Sequence, residues 1–354
     1  MTLLADVLDP ADLAEAVRTG LVRTQRHPRL PFVIHNYTEA CQYARAWNRT
    51  TLACRGLIAH ASTGEVLARA YSKFFNTGEP GAPAMRPDAA VEVTDKADGS
   101  LGIIYPDGAG GWAVATRGSF ASDQAVHATE LLRTRYAGFT PPAGRTVLVE
   151  IIYPGNRIVL DYDGLDDLVL LGSVEIATGR TGGPASVPGW PGPVVESFAY
   201  ATLAEALAAP ARAGREGLVV HFPETDERVK IKYEDYVRLH RLVFGLSART
   251  VWDVLVSGGD LDALTEPLPD EFHAWVSGVA AQLTGAVEAA RQEVEREFAG
   301  IVAQLPDGWG RREFAASAVR SPNRPYLFLR LDDKDYTGLL WDSVRPTATK
   351  MSDA

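Results

Sequence analysis

The chain is predicted to be an α+β protein, with antiparallel-rich sheets flanked by helices over residues 1–244 and a smaller, mostly α-helical domain over 245–354. Two observations predict this. Short runs rich in β-branched and aromatic residues, bounded by Gly, Pro or Asp turns, recur as far as Tyr233. From Phe244 onward apolar residues recur at helical spacing, with few breakers between 269 and 303. The change of period sets a boundary near 242–248, and no internal repeat is visible.

Taken in order, Asp9 to Val22 reads as a helix with Asp9 or Asp12 as cap and Gly20 near its end. Pro31 to Tyr37 reads as a strand and turn, and Ala40 to Trp47 as a short helix or irregular segment. Leu52 to His60 is expected to be a strand carrying Arg55, with a hairpin turn at Thr63-Gly64 and a return over Val66 to Ala70. Tyr71 to Asn76 closes this unit. Two apolar runs then meet in an expected hairpin around Lys96-Ala97-Asp98-Gly99-Ser100. Trp112 to Phe120 is a strand ending in a polar turn with Arg117, and Asp123 to Tyr136 is helical. Thr146 to Tyr153 is a buried strand with one carboxylate, Glu150, while Ile158 to Leu160 and Leu168 to Val174 are expected to continue the sheet. Residues 182–194 are rich in Gly and Pro and read as a surface loop. Leu203 to Ala208 suits a helix and Glu216 to Phe222 a strand; Val229 to Tyr233 alternates so that Lys230 and Lys232 share one face.

Bulk properties narrow the function classes. Hydrophobic content of 46% fits a soluble globular protein. No apolar run reaches the roughly 18 to 20 residues of a membrane span, and the start of the chain lacks a signal peptide's basic and apolar regions, so a cytoplasmic protein is expected. The net charge of −10 argues against a general nucleic-acid binder and leaves room only for a local basic groove. Cys41 and Cys54 are too few for a disulfide framework and read as reduced core residues.

Lysine usage is more informative. Of 35 basic residues only six are lysines, namely Lys73, Lys96, Lys230, Lys232, Lys334 and Lys350. A chain that writes its positive charge as arginine keeps lysine where a compact ammonium, or an amine able to lose its proton, is needed. Lys96 sits beside Asp98-Gly99, where a glycine lets a ligand approach the backbone, and is a candidate amine nucleophile. Arg55, Lys73, Lys96, Arg117, Glu150, Glu216, Lys230 and Lys232 nearly all fall at strand ends or turns. Several cations suit a polyphosphate, and two carboxylates suit a divalent metal held directly or through water. An amine must lose its proton to attack, which neighbouring lysines, a bound cation and desolvation all favour. The set fits attack on an α-phosphate with pyrophosphate leaving. Some of these residues also have a plainer reading: Lys96 in a solvated hairpin turn, Arg117 as a solvated strand end, Glu150 in a buried ion pair with an arginine, and, beside the set, His35 and Tyr37 as packing residues.

Lys96-Ala97-Asp98-Gly99-Ser100-Leu101 resembles the nucleotidyltransferase motif of ATP-dependent polynucleotide ligases and capping enzymes, and Glu150, Glu216-Gly217 and Val229-Lys230-Ile231-Lys232 resemble its later motifs in the same order. Cys54-Arg55-Gly56, Lys73-Phe74-Phe75-Asn76, Arg117-Gly118-Ser119, Asn156-Arg157-Ile158 and Tyr236-Val237 with Leu239-His240 resemble, more narrowly, the phage-type RNA ligase 1 family, which repairs broken tRNA. The resemblance covers about residues 30–245 and implies a nucleotidyltransferase (adenylation) domain. It implies AMP carried on Lys96; Arg55, Lys73, Lys230 and Lys232 on the triphosphate; and Tyr37, Gly99 and Arg117 at the nucleotide site. Glu150 would contact the nucleoside or a metal-bound water, Glu216 would help hold Mg2+ or Mn2+, and Asp260 falls near a position where an acid assists the metal. Arg117 stands where the family usually has lysine, and His35 where it has an aromatic residue. The implied partner is RNA with 5′-phosphate and 3′-hydroxyl ends, nicked tRNA above all; the chain is expected to be a monomer, and a separate end-healing kinase-phosphatase is expected on chemical grounds, since nuclease ends often lack those two groups. A DNA ligase, a capping-type enzyme and a non-catalytic nucleotide- or RNA-binding protein are the alternatives, and the helical C-terminal part argues against the first two. That part, with Arg311, Arg312, Arg320, Arg324 and Arg330, is expected to set RNA choice.

Overall fold

A computed structural model describes residues 1–346, apart from 157, 161, 244–245 and 267–269. The side chains of residues 239–243 and 270–272 are likewise outside the description, so the motif residues Arg157, Leu239 and His240, and also Lys350, lie outside the described residues. The chain forms two compact units, Met1–Val243 and Phe244–Ala354. The first is α+β, and the described part of the second is helical.

Three sheets build the first unit. One has the order β1-β2-β3-β4 from Val22–Arg26, Phe32–Tyr37, Arg55–His60 and Val66–Ala68. The short strand β5 (Phe75–Asn76) and β6 (Glu92–Asp95) lead into β7 (Ser100–Pro106), β8 (Trp112–Ala115), β9 (Arg145–Ile152), β10 (Asp167–Glu175) and β11 (Thr181–Gly182), and the second sheet runs β11-β10-β9-β7-β8. The third sheet runs β12-β6-β13-β14-β5, adding β12 (Ser197–Phe198), β13 (Gly217–Phe222) and β14 (Glu227–Lys232). Helices of this unit are α1 (Leu4–Val7), α2 (Pro10–Arg18), α3 (Glu39–Tyr43), α4 (Arg49–Ala53), α5 (Asp123–Thr134), α6 (Leu203–Ala208) and α7 (Glu234–Val243).

Alternation along the strands explains the layers. Phe32, Ile34 and Ile58 of the first sheet bury against Ile103, Tyr105 and Leu148 of the second. The second sheet's other face, with Val147, Val149 and Ile151, is covered by Ala128, Leu131 and Leu132 of α5. Leu13 and Ala16 of α2 cover Val22 and Leu57 behind the first sheet, and Leu203 and Ala206 of α6 pack on Val93, Leu218 and Val220 of the third. Cys41 and Cys54 are free thiols within these cores.

Several local expectations are corrected. Lys96 does not lie in a hairpin: β6 and β7 belong to different sheets, and the residues between them form a link from the third sheet to the second. The helix starting after Asp9 ends at Arg18, and Val22–Arg26 pairs with β2 as an edge strand. Leu52 and Ala53 end a helix capped by Asn48 and Thr51 rather than beginning a strand. Residues 158–160 form no strand, because the Val159 and Leu160 N–H groups donate to Asp98 Oδ2, at 3.1 and 3.0 Å, in place of a neighbouring strand. Asn76 does not close the first sheet; β5 pairs in parallel with β14, setting Asn76 opposite Lys230.

In the second unit α8 (Ala248–Ser257) and α9 (Leu261–Thr265) precede α10 (Asp270–Gln304), with α11 (Arg311–Ala318), α12 (Arg324–Leu331) and α13 (Thr337–Ser343) after it. Val287 and Val294 pack with Phe314, Leu327, Tyr336 and Leu340. Arg311 is paired with Asp332, and Arg330 with Glu295 at 2.9 Å, so two of the five arginines are tied to carboxylates.

Gly217 opens β13 at φ +153°, and a Cβ there would lie 2.0 Å from the Ile231 carbonyl oxygen. Gly217→Ala is therefore expected to cost more than about 2 kcal/mol, as a backbone clash that no rotamer relieves. Urea unfolding with an unchanged midpoint would contradict that account.

Candidate active site

The link between sheets places Lys96. Its backbone N–H donates to Gly217 O at 3.0 Å, and Ala97 is buried with Ile152, Val169 and Val195 beneath it. Lys96 Nζ lies 2.7 Å from Glu216 Oε1, and Lys232 Nζ lies 2.7 Å from that same oxygen. The side chains of Lys96, Lys232 and Glu216 are 18%, 8% and 3% exposed. Glu216 Oε2 is buried without a hydrogen-bond partner. Lys232 also sits over the Tyr236 ring at 5.1 Å.

Behind the lysine the link is pinned by Asp98, whose Oδ1 accepts from Tyr236 OH at 2.7 Å, while its own N–H donates to Tyr162 OH at 2.7 Å. Burial raises the Asp98 carboxyl above its ordinary range, aided by the charge of Glu216. Gly99 N–H donates to Glu150 Oε1 at 3.1 Å, and a Cβ at Gly99 would lie 2.6 Å from Ile151 O, so only glycine permits this approach. Glu150 stands on β9 between the fully buried Val149 and Ile151, opposite Leu101 and Val169. Burying each such aliphatic neighbour contributes about 1.5–3 kcal/mol, enough to hold a costly carboxyl in the sheet. Desolvation raises the Glu150 pKa to about 7, with Lys96 opposing and Glu216 reinforcing the rise.

The remaining cations lie on aromatic faces. Arg55 and Lys230 share the Phe74 ring at 5.5 and 5.2 Å. Lys73, itself buried, lies 5.6, 5.4 and 5.5 Å from the rings of Tyr37, Trp47 and Phe75. Arg117 takes the same Tyr37 ring at 4.8 Å and donates to its hydroxyl at 2.6 Å. Tyr37 is thus the aromatic residue among the cations, while His35 bonds Thr24 Oγ1 at 2.9 Å and is driven by burial to a pKa of about 4. The cradle of Trp47, Phe74 and Phe75 around the cations was not anticipated, although the two phenylalanines adjoining Lys73 were a usable signal.

Lys96, Lys232, Glu216, Glu150 and Gly99 are brought into one continuous contact network, with Arg55, Lys230, Lys73, Tyr37 and Arg117 arranged on rings. Asp260 belongs to the second unit, where it is exposed and its Oδ1 accepts from Asp262 N–H at 2.8 Å to cap α9. Among the described residues, no three His, Cys, Asp or Glu side chains gather as a metal-binding group.

A family model described as RNA ligase, of the phage type, matches residues 53–236, just over half of the 354 residues. The chain belongs to the RNA ligase family. The match spans Arg55, Lys73, Lys96, Gly99, Arg117, Glu150, Glu216, Lys230 and Lys232, and leaves out Tyr37, Trp47 and Asp260. Among curated proteins none matches this RNA ligase family member. Solved structures of a Naegleria gruberi RNA ligase are similar over part of the chain: the form with pyrophosphate is 20% identical, with a TM-score of 0.34, covering 44% of this chain and 52% of that one. A mutant with AMP and Mn is 19% identical, with a TM-score of 0.33 and coverages of 43% and 52%. The chain spans about half the length of these solved structures.

Two outcomes follow from the carboxylates. Glu216→Gln leaves two largely buried ammonium groups facing a neutral amide, so it is expected to cost about 3 kcal/mol, most of it recovered in the Glu216→Gln, Lys232→Met double variant; denaturant unfolding of the cycle measures both. For Glu150 the folded pKa is raised, from 4.5 to about 7. Its contribution is therefore fully present below about pH 4.5 and lost as pH rises through about 7. Thermal melts of Glu150→Gln across this window are expected to fall less with pH than those of the unaltered protein, and parallel curves would refute the assignment.

Proposed function

We propose that this chain is an ATP-dependent RNA ligase that works through AMP bound covalently to Lys96. The observation that carries the reading is the single Glu216 oxygen bridging Lys96 and Lys232, with Arg55, Lys230, Lys73 and Arg117 held on rings in the same unit. Lysine is required at the nucleophile because a guanidinium stays protonated. In the first step Lys96 Nζ attacks the α-phosphorus, the N–P bond forms, and the bond to the pyrophosphate oxygen breaks. Before the attack one ammonium proton of Lys96 passes to the Glu216 carboxylate, 2.7 Å away, and the second leaves the nitrogen as the N–P bond forms and is taken up by the departing pyrophosphate. The four ring-held cations and Lys232 take the charge of the triphosphate and of the departing pyrophosphate.

The AMP then passes to the 5′-phosphate oxygen of an RNA end, breaking the N–P bond and restoring the lysine. The 3′-hydroxyl attacks the activated 5′-phosphorus, and AMP leaves. The orphaned, buried Glu216 Oε2 is an acceptor that a divalent cation would satisfy, so the donor set fits Mg2+ or Mn2+ once substrate phosphates complete the shell. Glu216 and Glu150 are the residues that would hold it, and it would supply neutralisation of phosphate charge. For the second unit the proposed role is choice among RNA ends, nicked tRNA included. Arg312, Arg320 and Arg324 are its candidate phosphate contacts, since Arg311 and Arg330 are engaged by acids.

The test is retention of label from α-labelled ATP on denaturing gels. The unaltered protein with divalent metal is expected to carry label, while Lys96→Ala and Lys96→Arg carry none. Sealing of RNA that is already adenylated is expected to survive in part in Lys96→Ala. Absence of label on the unaltered protein would sink the reading.

A further inference from the structure

We propose that Arg23 and Asn36 form an outer phosphate subsite that takes the terminal phosphate of ATP and then the leaving pyrophosphate. This rests on the reading of Lys96 as nucleophile. Neither residue belongs to the motifs on which that reading was built. The placement follows from register: Asn36 on β2 is paired with Arg23 on β1 and with Arg55 on β3. A register shift lies between His35 and Asn36 on the β3 side, and beyond it the Arg55 guanidinium turns to Tyr71 O and the Phe74 ring, so Arg55, Asn36 and Arg23 stand side by side in a row on three strands, about 10 Å from first to last. Its inner end, Arg55, shares Phe74 with Lys230, and its outer end is an exposed arginine on the edge strand.

The row is closed on one side by the turn that carries Arg117. Gly118 leaves a gap there: a Cβ on it would lie 3.4 Å from Asn36 Nδ2 and 3.7 Å from Arg23 Nη2. Two donor groups therefore flank a space that any other residue at 118 would begin to fill. Asn36 is 8% exposed, and it is the Nδ2 donor of its amide that faces the Gly118 side, where it can donate to an anion. Among the described residues Arg23 forms no ion pair, so its charge is left for something outside the chain. An exposed arginine fork beside an amide donor and a second arginine is chemistry for a phosphate, whose oxygens accept from two donors at once. Continuity with Arg55 and Arg117 selects the phosphate tail of the nucleotide rather than an RNA backbone.

Full-length Arg23→Ala, Arg23→Lys and Asn36→Leu would be compared with the unaltered protein in three assays: enzyme-AMP formation against ATP concentration, reversal of preformed enzyme-AMP by pyrophosphate, and sealing of pre-adenylated RNA. Arg23→Ala is expected to raise the KM for ATP and the half-saturating pyrophosphate by about five- to tenfold, the loss of one charge-assisted contact. Arg23→Lys is expected to recover part of this, Asn36→Leu to shift both constants the same way, and sealing of pre-adenylated RNA to show no such loss. Unchanged ATP and pyrophosphate constants overturn the proposal, as does a loss confined to pre-adenylated RNA, which would make Arg23 an RNA contact. If the unaltered protein takes no label, the ligase reading has failed, and calorimetric titration of pyrophosphate into unaltered and Arg23→Ala protein still decides the subsite: equal affinities overturn it.

Discussion

One oxygen atom holds the site together. Glu216 Oε1 accepts from two ammonium groups that arrive from different places, Lys96 from the link between sheets and Lys232 from the end of β14. A lone buried charge of either sign would be costly, and removing one partner from such a set leaves the others exposed to that cost. The surrounding backbone is fixed by the same junction, since Lys96 N–H donates to Gly217 O and Tyr233 N–H donates to Glu216 O, each at 3.0 Å. The position of the proposed nucleophile is therefore a property of the third sheet's pairing as much as of the link itself.

Around this junction positive charge is concentrated in a chain whose net charge is −10. Cations crowded together repel, and an aromatic face is one way to hold each of them in place. Here Phe74 serves Arg55 and Lys230, and Tyr37 serves Lys73 and Arg117. An aromatic face attracts a cation through its quadrupole without neutralising it, at about 0.5–2 kcal/mol each. The rings set these cations beside one another, which is what a site for a polyanion requires. The same logic reaches the first sheet, where an amide rather than an acid stands between Arg23 and Arg55.

The alternation of Val229 to Lys232 and the scarcity of lysine made Lys230, Lys232 and Lys96 legible in the sequence, and strand-borne carboxylates marked Glu150 and Glu216. The fold class followed from the change in period. What was not legible is pairing. A period of two says that a strand has two faces but not which strand lies beside it, so β6 and β7 read as a hairpin although they belong to separate sheets. Residues 158–160 read as a strand because their apolar side chains look alike in a strand and in a loop, whereas their N–H groups serve Asp98. Tyr37 and His35 are two positions apart and of similar chemistry, and only the packed structure assigns Tyr37 to the cations. The aromatic cradle required contacts between segments far apart in the chain, Trp47 with Phe75 for one, which no local pattern encodes.

The distribution of lysines has a further consequence for chemical modification. Of the described lysines only Lys334 is exposed; Lys73 is buried, and Lys96, Lys230 and Lys232 are half-buried. In most proteins an acylating reagent is absorbed by a scatter of surface amines, and its site of reaction carries little information. In this chain the background is one side chain among the described lysines. Acylation found at any of the other four reads out the openness of the cation site itself, and its suppression by a bound anion reads out occupancy without a turnover assay.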